Sequence, residues 1–270
     1  MATNLWTDVE ALDRLARSAR AAEERGGDGT GPAAEGSWPG DAPALLPESR
    51  GAGFELAAFD RPAASVSGDL LDAFAIGPSE IAFVVGDVSG KGIPAGVLGA
   101  FTRSILRHVA PLGEAPGETL ERVNRILCGA RLDAMYVTLF FGVLDVRTGR
   151  LRFANGGHPP ALRLGRRGKA AGFGAATGPI LGQLDRRRFD TGTLRLEPGD
   201  LVVVHTDGVT EARRRDGAFF GRSRLARALE RLATRSPDGA RTEVAASLRA
   251  FEGDRRHDDA TLLALAFDPA

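Results

Sequence analysis

The chain reads as an α+β fold, packed antiparallel sheets with helices on the outside. Three observations lead there. Apolar runs of strand type come in blocks, amphipathic helical patterns come in pairs between the blocks, and the regular strand–helix alternation of a parallel sheet is missing. With 43% hydrophobic residues among 270, the chain can build a sizeable core in one large domain or two small ones.

Taken in order, Thr7-Asp8-Val9-Glu10 is a capping box, after which Leu12, Leu15, Ala16, Ala19 and Ala22 continue an amphipathic helix to about Arg25. Residues 26 to about 43 turn to Gly, Ala, Pro, Ser and Asp and read as a flexible linker. A boundary near residue 45 divides the chain into an N-terminal helix and linker, 1–44, and a folded domain, 45–270. Strand signals follow at 54–59, 71–76 and 81–85, then two helices near 94–110 and 117–130. The clearest hairpin joins 137–144 to 151–154 through Thr148-Gly149. Further strands are expected at 161–164, 193–196 and 201–206, helices at 222–235 and 240–252, and a last strand at 261–267.

Thirty-five acidic residues balance thirty-five basic ones, so no global field favours nucleic acid or an anionic membrane. The Arg runs at 186–188 and 213–215 read as solvated faces. One cysteine, Cys128, excludes an internal disulfide framework and reads as a core thiol on the second helix. No stretch has signal-peptide character or transmembrane length, which predicts a cytoplasmic protein.

The chemistry centres on Val84-Val85-Gly86-Asp87-Val88-Ser89-Gly90-Lys91-Gly92, where a buried strand ends at a carboxylate and a glycine-punctuated turn leads into a helix. A single such turn is ordinary structure. It also superficially resembles a phosphate-cradling P-loop. However, the pattern is one residue short, Gly92 stands where a metal-binding hydroxyl is needed, and Asp87 would repel phosphate. Asp meets a turn in three more places: Ser67-Gly68-Asp69, Thr206-Asp207-Gly208 and His257-Asp258-Asp259. If antiparallel sheets gather these ends, like charges accumulate and need counter-charge. Oxygen-only ligands favour Mg²⁺ or Mn²⁺ over Zn²⁺. His257, beside the last pair, is equally compatible with a solvated loop.

In order, Val66-Ser67-Gly68-Asp69, Gly86-Asp87-Val88-Ser89-Gly90-Lys91-Gly92, Asn155-Gly156-Gly157-His158-Pro159-Pro160, Thr206-Asp207-Gly208-Val209-Thr210-Glu211 and Asp258-Asp259-Ala260-Thr261 resemble the SpoIIE-like and RsbU-like branch of the bacterial metal-dependent (PPM) serine/threonine phosphatases. Leu45-Leu46-Pro47 and Phe219-Phe220-Gly221 resemble that family's flanking segments. The resemblance implies a four-layer α-β-β-α sandwich, two packed antiparallel sheets flanked by helix pairs, with two Mn²⁺ or Mg²⁺ ions at one edge. By motif, Asp87 would bridge the ions and the Val88 carbonyl would add a ligand. Asp207 and Asp258 would complete the second ion's shell, with Asp258 favoured over Asp259 as the direct ligand, and Asp69 would act through the first. The ions would activate a water to attack a phosphoserine or phosphothreonine, with no protein nucleophile. Ser89 accordingly reads as turn packing.

The implied substrate is a phosphorylated anti-sigma-factor antagonist of STAS type. A regulatory partner or a homodimer would engage the N-terminal helix, and the Gly- and Arg-rich flap at 165–188 is a candidate substrate contact. Ser67 and the Leu70-Leu71 pair depart from the branch's usual residues. Val88 and Ser89 stand where eukaryotic relatives place a candidate acid histidine, and His158, between Gly157 and Pro159, reads as structural. The alternative is a non-catalytic pseudophosphatase that binds its phosphorylated partner; all four carboxylates being present argues against it.

Overall fold

The computed structural model describes residues 50–63, 66–130, 135–253 and 256–268. The N-terminal helix, the linker, Leu45-Leu46-Pro47 and the boundary near residue 45 lie outside them.

Strands β1 (Arg50–Gly51), β2 (Gly53–Arg61), β3 (Asp69–Gly77) and β4 (Glu80–Val88) come first. Helices α1 (Gly92–Val109) and α2 (Pro116–Gly129) follow, then β5 (Val137–Asp145), β6 (Arg150–Gly156), β7 (Ala161–Leu164), β8 (Ala170–Phe173), β9 (Gly192–Arg195) and β10 (Leu201–His205). The short α3 (Asp207–Glu211), then α4 (Gly221–Glu230) and α5 (Pro237–Glu252), precede β11 (Ala260–Asp268). All named pairings are antiparallel, in one sheet of order β1-β2-β11-β10-β7-β8 and a second of order β3-β4-β5-β6-β9.

Three apolar clusters make three interfaces, hence four layers. One packs α1 and α2 on the outer face of the second sheet, one fills the space between the sheets, and one packs α4 and α5 on the outer face of the first. The expected α-β-β-α sandwich is present. Strand side chains alternate between faces, and both faces of β4 are covered, so its residues 81–85 are all buried. Asp72, on the helix-facing side of β3, receives two hydrogen bonds from Arg107 of α1 at 2.6 and 2.7 Å, which fixes the helix that follows the Asp87 turn.

Some boundaries differ from expectation. Helix α4 stops at Glu230, not 235. Helix α5 begins three residues early because Ser236 caps it, accepting from the Gly239 amide, and Pro237 occupies its first turn. The short β1, β8 and α3 were not expected. Cys128 is half-buried rather than core, its thiol donating to Asn124 at 3.6 Å.

Candidate metal centre

Alternation explains how the acidic residues meet. Ile81, Phe83 and Val85 of β4 point into the inter-sheet core, so Asp87 points the same way. Its register partners across the sheet are Asp69 on β3 and Thr138 on β5, on the same face. From the opposite sheet, Phe54, Leu56 and Ala58 put Asp60 inward, while Val204 and Leu263 do the same for Thr206 and Thr261. The apolar core thus ends in one polar layer supplied by both sheets.

Hydrogen bonds cross this layer. The Thr206 hydroxyl donates to Asp69 at 2.8 Å and accepts from the Thr261 amide at 3.0 Å; Thr261 and Ser67 hydroxyls donate to Asp60 at 3.2 and 3.4 Å. Asp207 opens α3 directly after Thr206. Asp259 is occupied differently from its neighbour: one oxygen accepts from the Ala63 amide at 2.6 Å and the other from the Gly68 amide at 2.7 Å. Asp258 is exposed and accepts only the Asp259 amide among the hydrogen bonds of the described residues.

The electrostatics register the crowding. Burial, then the charges of Asp207, Asp258 and Asp259, push Asp87 up to about 6. Burial first and Asp87 among the rest hold Asp69 well above the ordinary carboxylate range. Asp207 is raised by burial, then by Glu211 and Asp258. Asp60, which the sequence reading did not single out, is raised by burial and by Asp259; the signal was available, since Asp60 also follows an apolar run at a strand end.

An oxygen-only donor set under mutual repulsion fits a hard divalent cation. Among the described residues no three His, Cys, Asp or Glu side chains close into a ready cage, so the carboxylates line the layer without converging on one point. Asp69, Asp87, Asp207, Asp258 and Asp259 are brought together electrostatically. Val88 sits at the end of β4, with its side chain in the helix-side core and its amide donating to Gly68. His257 is exposed. Ser89 is a turn residue, its hydroxyl accepting from the Tyr136 amide at 2.8 Å. A groove of about 360 Å³ opens beside the layer, lined by Asp60, Ser67 and Asp69 and by Ile93, Val97 and Arg103 of α1.

Behind the layer lie two buried histidines. His158 is held in a turn by Asn155, which accepts its amide at 2.7 Å and donates to its carbonyl at 2.9 Å. Burial, reinforced by His205, pushes His158 down to about 3 against a small opposing pull from the His205 carbonyl; burial likewise lowers His205 to about 4. Both are neutral near neutrality, which excludes His158 as a general acid there.

A two-sheet sandwich with helix pairs outside and a carboxylate layer at one end of its seam defines a domain of the PP2C phosphatase type. The chain belongs to the SpoIIE family: the family model for Stage II sporulation protein E matches residues 77–268. It is 33% identical over 246 residues to Protein IcfG of Synechocystis sp., covering 78% of this chain and 38% of that one. It is 29% identical over 215 residues to Phosphoserine phosphatase RsbU of Bacillus subtilis, covering 78% and 62%. The crystal structure of the RsbU and RsbW domains of Rv1364c from Mycobacterium tuberculosis superposes with a TM-score of 0.71 at 28% identity, over 81% of this chain and 61% of that one. The chain thus spans less than two thirds of each relative. Among the described residues, no helix is long and apolar enough to cross a membrane.

Proposed function

We propose that this chain is a metal-dependent phosphatase acting on phosphoserine or phosphothreonine in a protein. The observation that carries the reading is the layer that gathers Asp87, Asp69, Asp207 and Asp258, where burial and then the charges of Asp207, Asp258 and Asp259 raise Asp87 to about 6. Asp87 and Asp69 would hold ions from one sheet, Asp207 and Asp258 from the loops of the other, with the Val88 carbonyl beside them. Mn²⁺ or Mg²⁺ bound there would supply an activated water and neutralise phosphoryl charge. The side chains of the layer orient and screen; none of them attacks. The groove beside α1 leaves room for the chain that carries the phosphate. Similarity to RsbU, named a phosphoserine phosphatase, supports phosphoserine, and the family resemblance supports a STAS-type anti-sigma-factor antagonist as the protein.

The direct test is hydrolysis of 4-nitrophenyl phosphate by the purified chain with Mn²⁺, Mg²⁺ or chelator. Turnover is expected with a divalent ion and none with chelator; equal turnover in both sinks the reading.

The paired acids separate by role. With both oxygens on backbone amides, Asp259 is a clamp that ties Ala63 and Gly68 to the start of β11, so Asp259→Ala is expected to cost about 1–3 kcal/mol of stability. Asp258→Asn is expected to leave metal-free stability within about 0.5 kcal/mol while weakening Mn²⁺ binding at least ~10-fold. Melting in chelator and Mn²⁺ titration read the two effects, and the opposite pattern would exchange the assignments.

A further inference from the structure

Thr138 and His158 have no part in the reading above, yet their geometry points to one, which rests on that reading. Thr138 lies opposite Asp87 on the inner face of β5 and is partly exposed. His158 Nδ1 is 3.0 Å from its hydroxyl oxygen. Which group donates follows from the other ring nitrogen. His158 is only 3% exposed, and its Nε2 has no partner within hydrogen-bond distance. The His205 carbonyl pulls on the ring only weakly and no acceptor lies within hydrogen-bond distance of Nε2, so Nδ1 is the nitrogen with a hydrogen-bond partner, and we place the ring proton there. His205 shows the same pattern with its tautomer fixed: Nδ1 faces the Thr206 carbonyl at 2.9 Å, which can only accept, and its Nε2 is also unpartnered. His158 therefore donates to Thr138, and the Thr138 hydroxyl keeps its own proton for another acceptor. Among the described residues no hydrogen bond spends that proton on Asp87.

We propose that Thr138 donates this proton to a phosphoryl oxygen of the substrate, and that His158 is the positioning residue that turns the hydroxyl into the carboxylate layer. An anion arriving there meets mostly acceptors, so a neutral donor held in place discriminates for phosphate without adding charge. As a neutral imidazole, His158 holds the hydroxyl the same way across the working pH range.

The test compares wild type with Thr138→Val, Thr138→Ser, His158→Leu and His158→Asn. Three quantities are read: kcat/KM for 4-nitrophenyl phosphate with Mn²⁺, calorimetric binding of inorganic phosphate to the Mn²⁺-loaded protein, and the Mn²⁺-induced rise in melting temperature. Thr138→Val should lose about 10- to 100-fold in kcat/KM and a similar factor in phosphate affinity, with the Mn²⁺-induced rise unchanged. Thr138→Ser should retain most of both. His158→Leu should follow the valine variant in part, and His158→Asn, whose amide can replace Nδ1–H, should recover. A Thr138→Val protein within twofold of wild type in both rate and phosphate affinity overturns the proposal. So does one that loses its Mn²⁺ response, because Thr138 would then act through the metal site. Wild type without metal-dependent turnover would sink the phosphatase reading instead, and the phosphate affinities would still decide the Thr138 contact.

Discussion

Asp87→Asn is expected to abolish metal-dependent hydrolysis of 4-nitrophenyl phosphate, a loss exceeding ~10³-fold, because it removes the carboxylate that would hold the proposed metal ions from the second sheet. The same substitution should stabilise the metal-free protein. A carboxyl whose folded pKa is about 6 instead of 3.8 binds protons more tightly in the native state than in the unfolded one. Stability from that group is therefore complete below about 3.8 and lost as pH rises through about 6. Replacing it with a neutral isostere removes the loss. In chelator at pH 8, Asp87→Asn should exceed wild type by on the order of 2 kcal/mol, allowing for partial solvent exposure, and the difference should vanish below about pH 4. Denaturant melts across this range check it. Wild type more stable than the variant at pH 8 without metal would show that burial and the neighbouring charges do not disfavour the Asp87 carboxylate as described. Substitutions that lose activity by unfolding cannot give this combination of a dead enzyme and a firmer fold.

Gly208→Ala is expected to do the reverse, harming both activity and stability without touching a carboxylate. A Cβ on Gly208 would lie 1.8 Å from the Asp259 carbonyl oxygen and 2.9 Å from its carbon. Contacts that close do not occur, and the obstacle is backbone on both sides, so the start of α3 and the segment before β11 must separate by more than about 1 Å. That separation moves Asp207 away from Asp258, and a displacement of this size costs on the order of 10²-fold in rate. Strain and the weakened Thr206–Thr261 pairing should cost about 1–3 kcal/mol. Kinetics, Mn²⁺ titration and melting on one preparation test it; turnover within threefold of wild type would mean that the two segments slide apart without consequence.

Much of this was legible in the sequence because the layer obeys a local rule. The apolar run through Val85 announces a strand covered on both faces, and the residue two places on must face the same way as Val85, which puts Asp87 at the seam. The same reasoning reaches Asp60, and only its ordinary Phe59-Asp60-Arg61 surroundings hid it. Other features depend on register and were not readable. His158 meets Thr138 only because β5 and β6 pair with a particular offset and the chain then crosses to the other sheet. That Asp259 clamps two loops while Asp258 stays exposed is decided by Ala63 and Gly68, almost two hundred residues earlier. The strand β8, Ala-Ala-Gly-Phe, has no alternation to betray it, and α4 ends early because Ser236 and Pro237 are better at starting a helix than at continuing one.

The polar layer draws its members from both sheets, Asp69 and Asp87 from one and Asp60, Asp207 and Asp258 from the strands and loops of the other. A metal ion held among them, as proposed above, would be a reversible cross-link between the two halves of the sandwich. Anything that pressed the halves together at that end, such as a bound partner, would then tighten ion binding. By reciprocity the ion would tighten the grip on that partner by the same factor. At a free metal concentration 100 times its dissociation constant, such an ion would add about 2.7 kcal/mol to the stability of the folded domain. Metal concentration and partner occupancy would thereby act on the same seam.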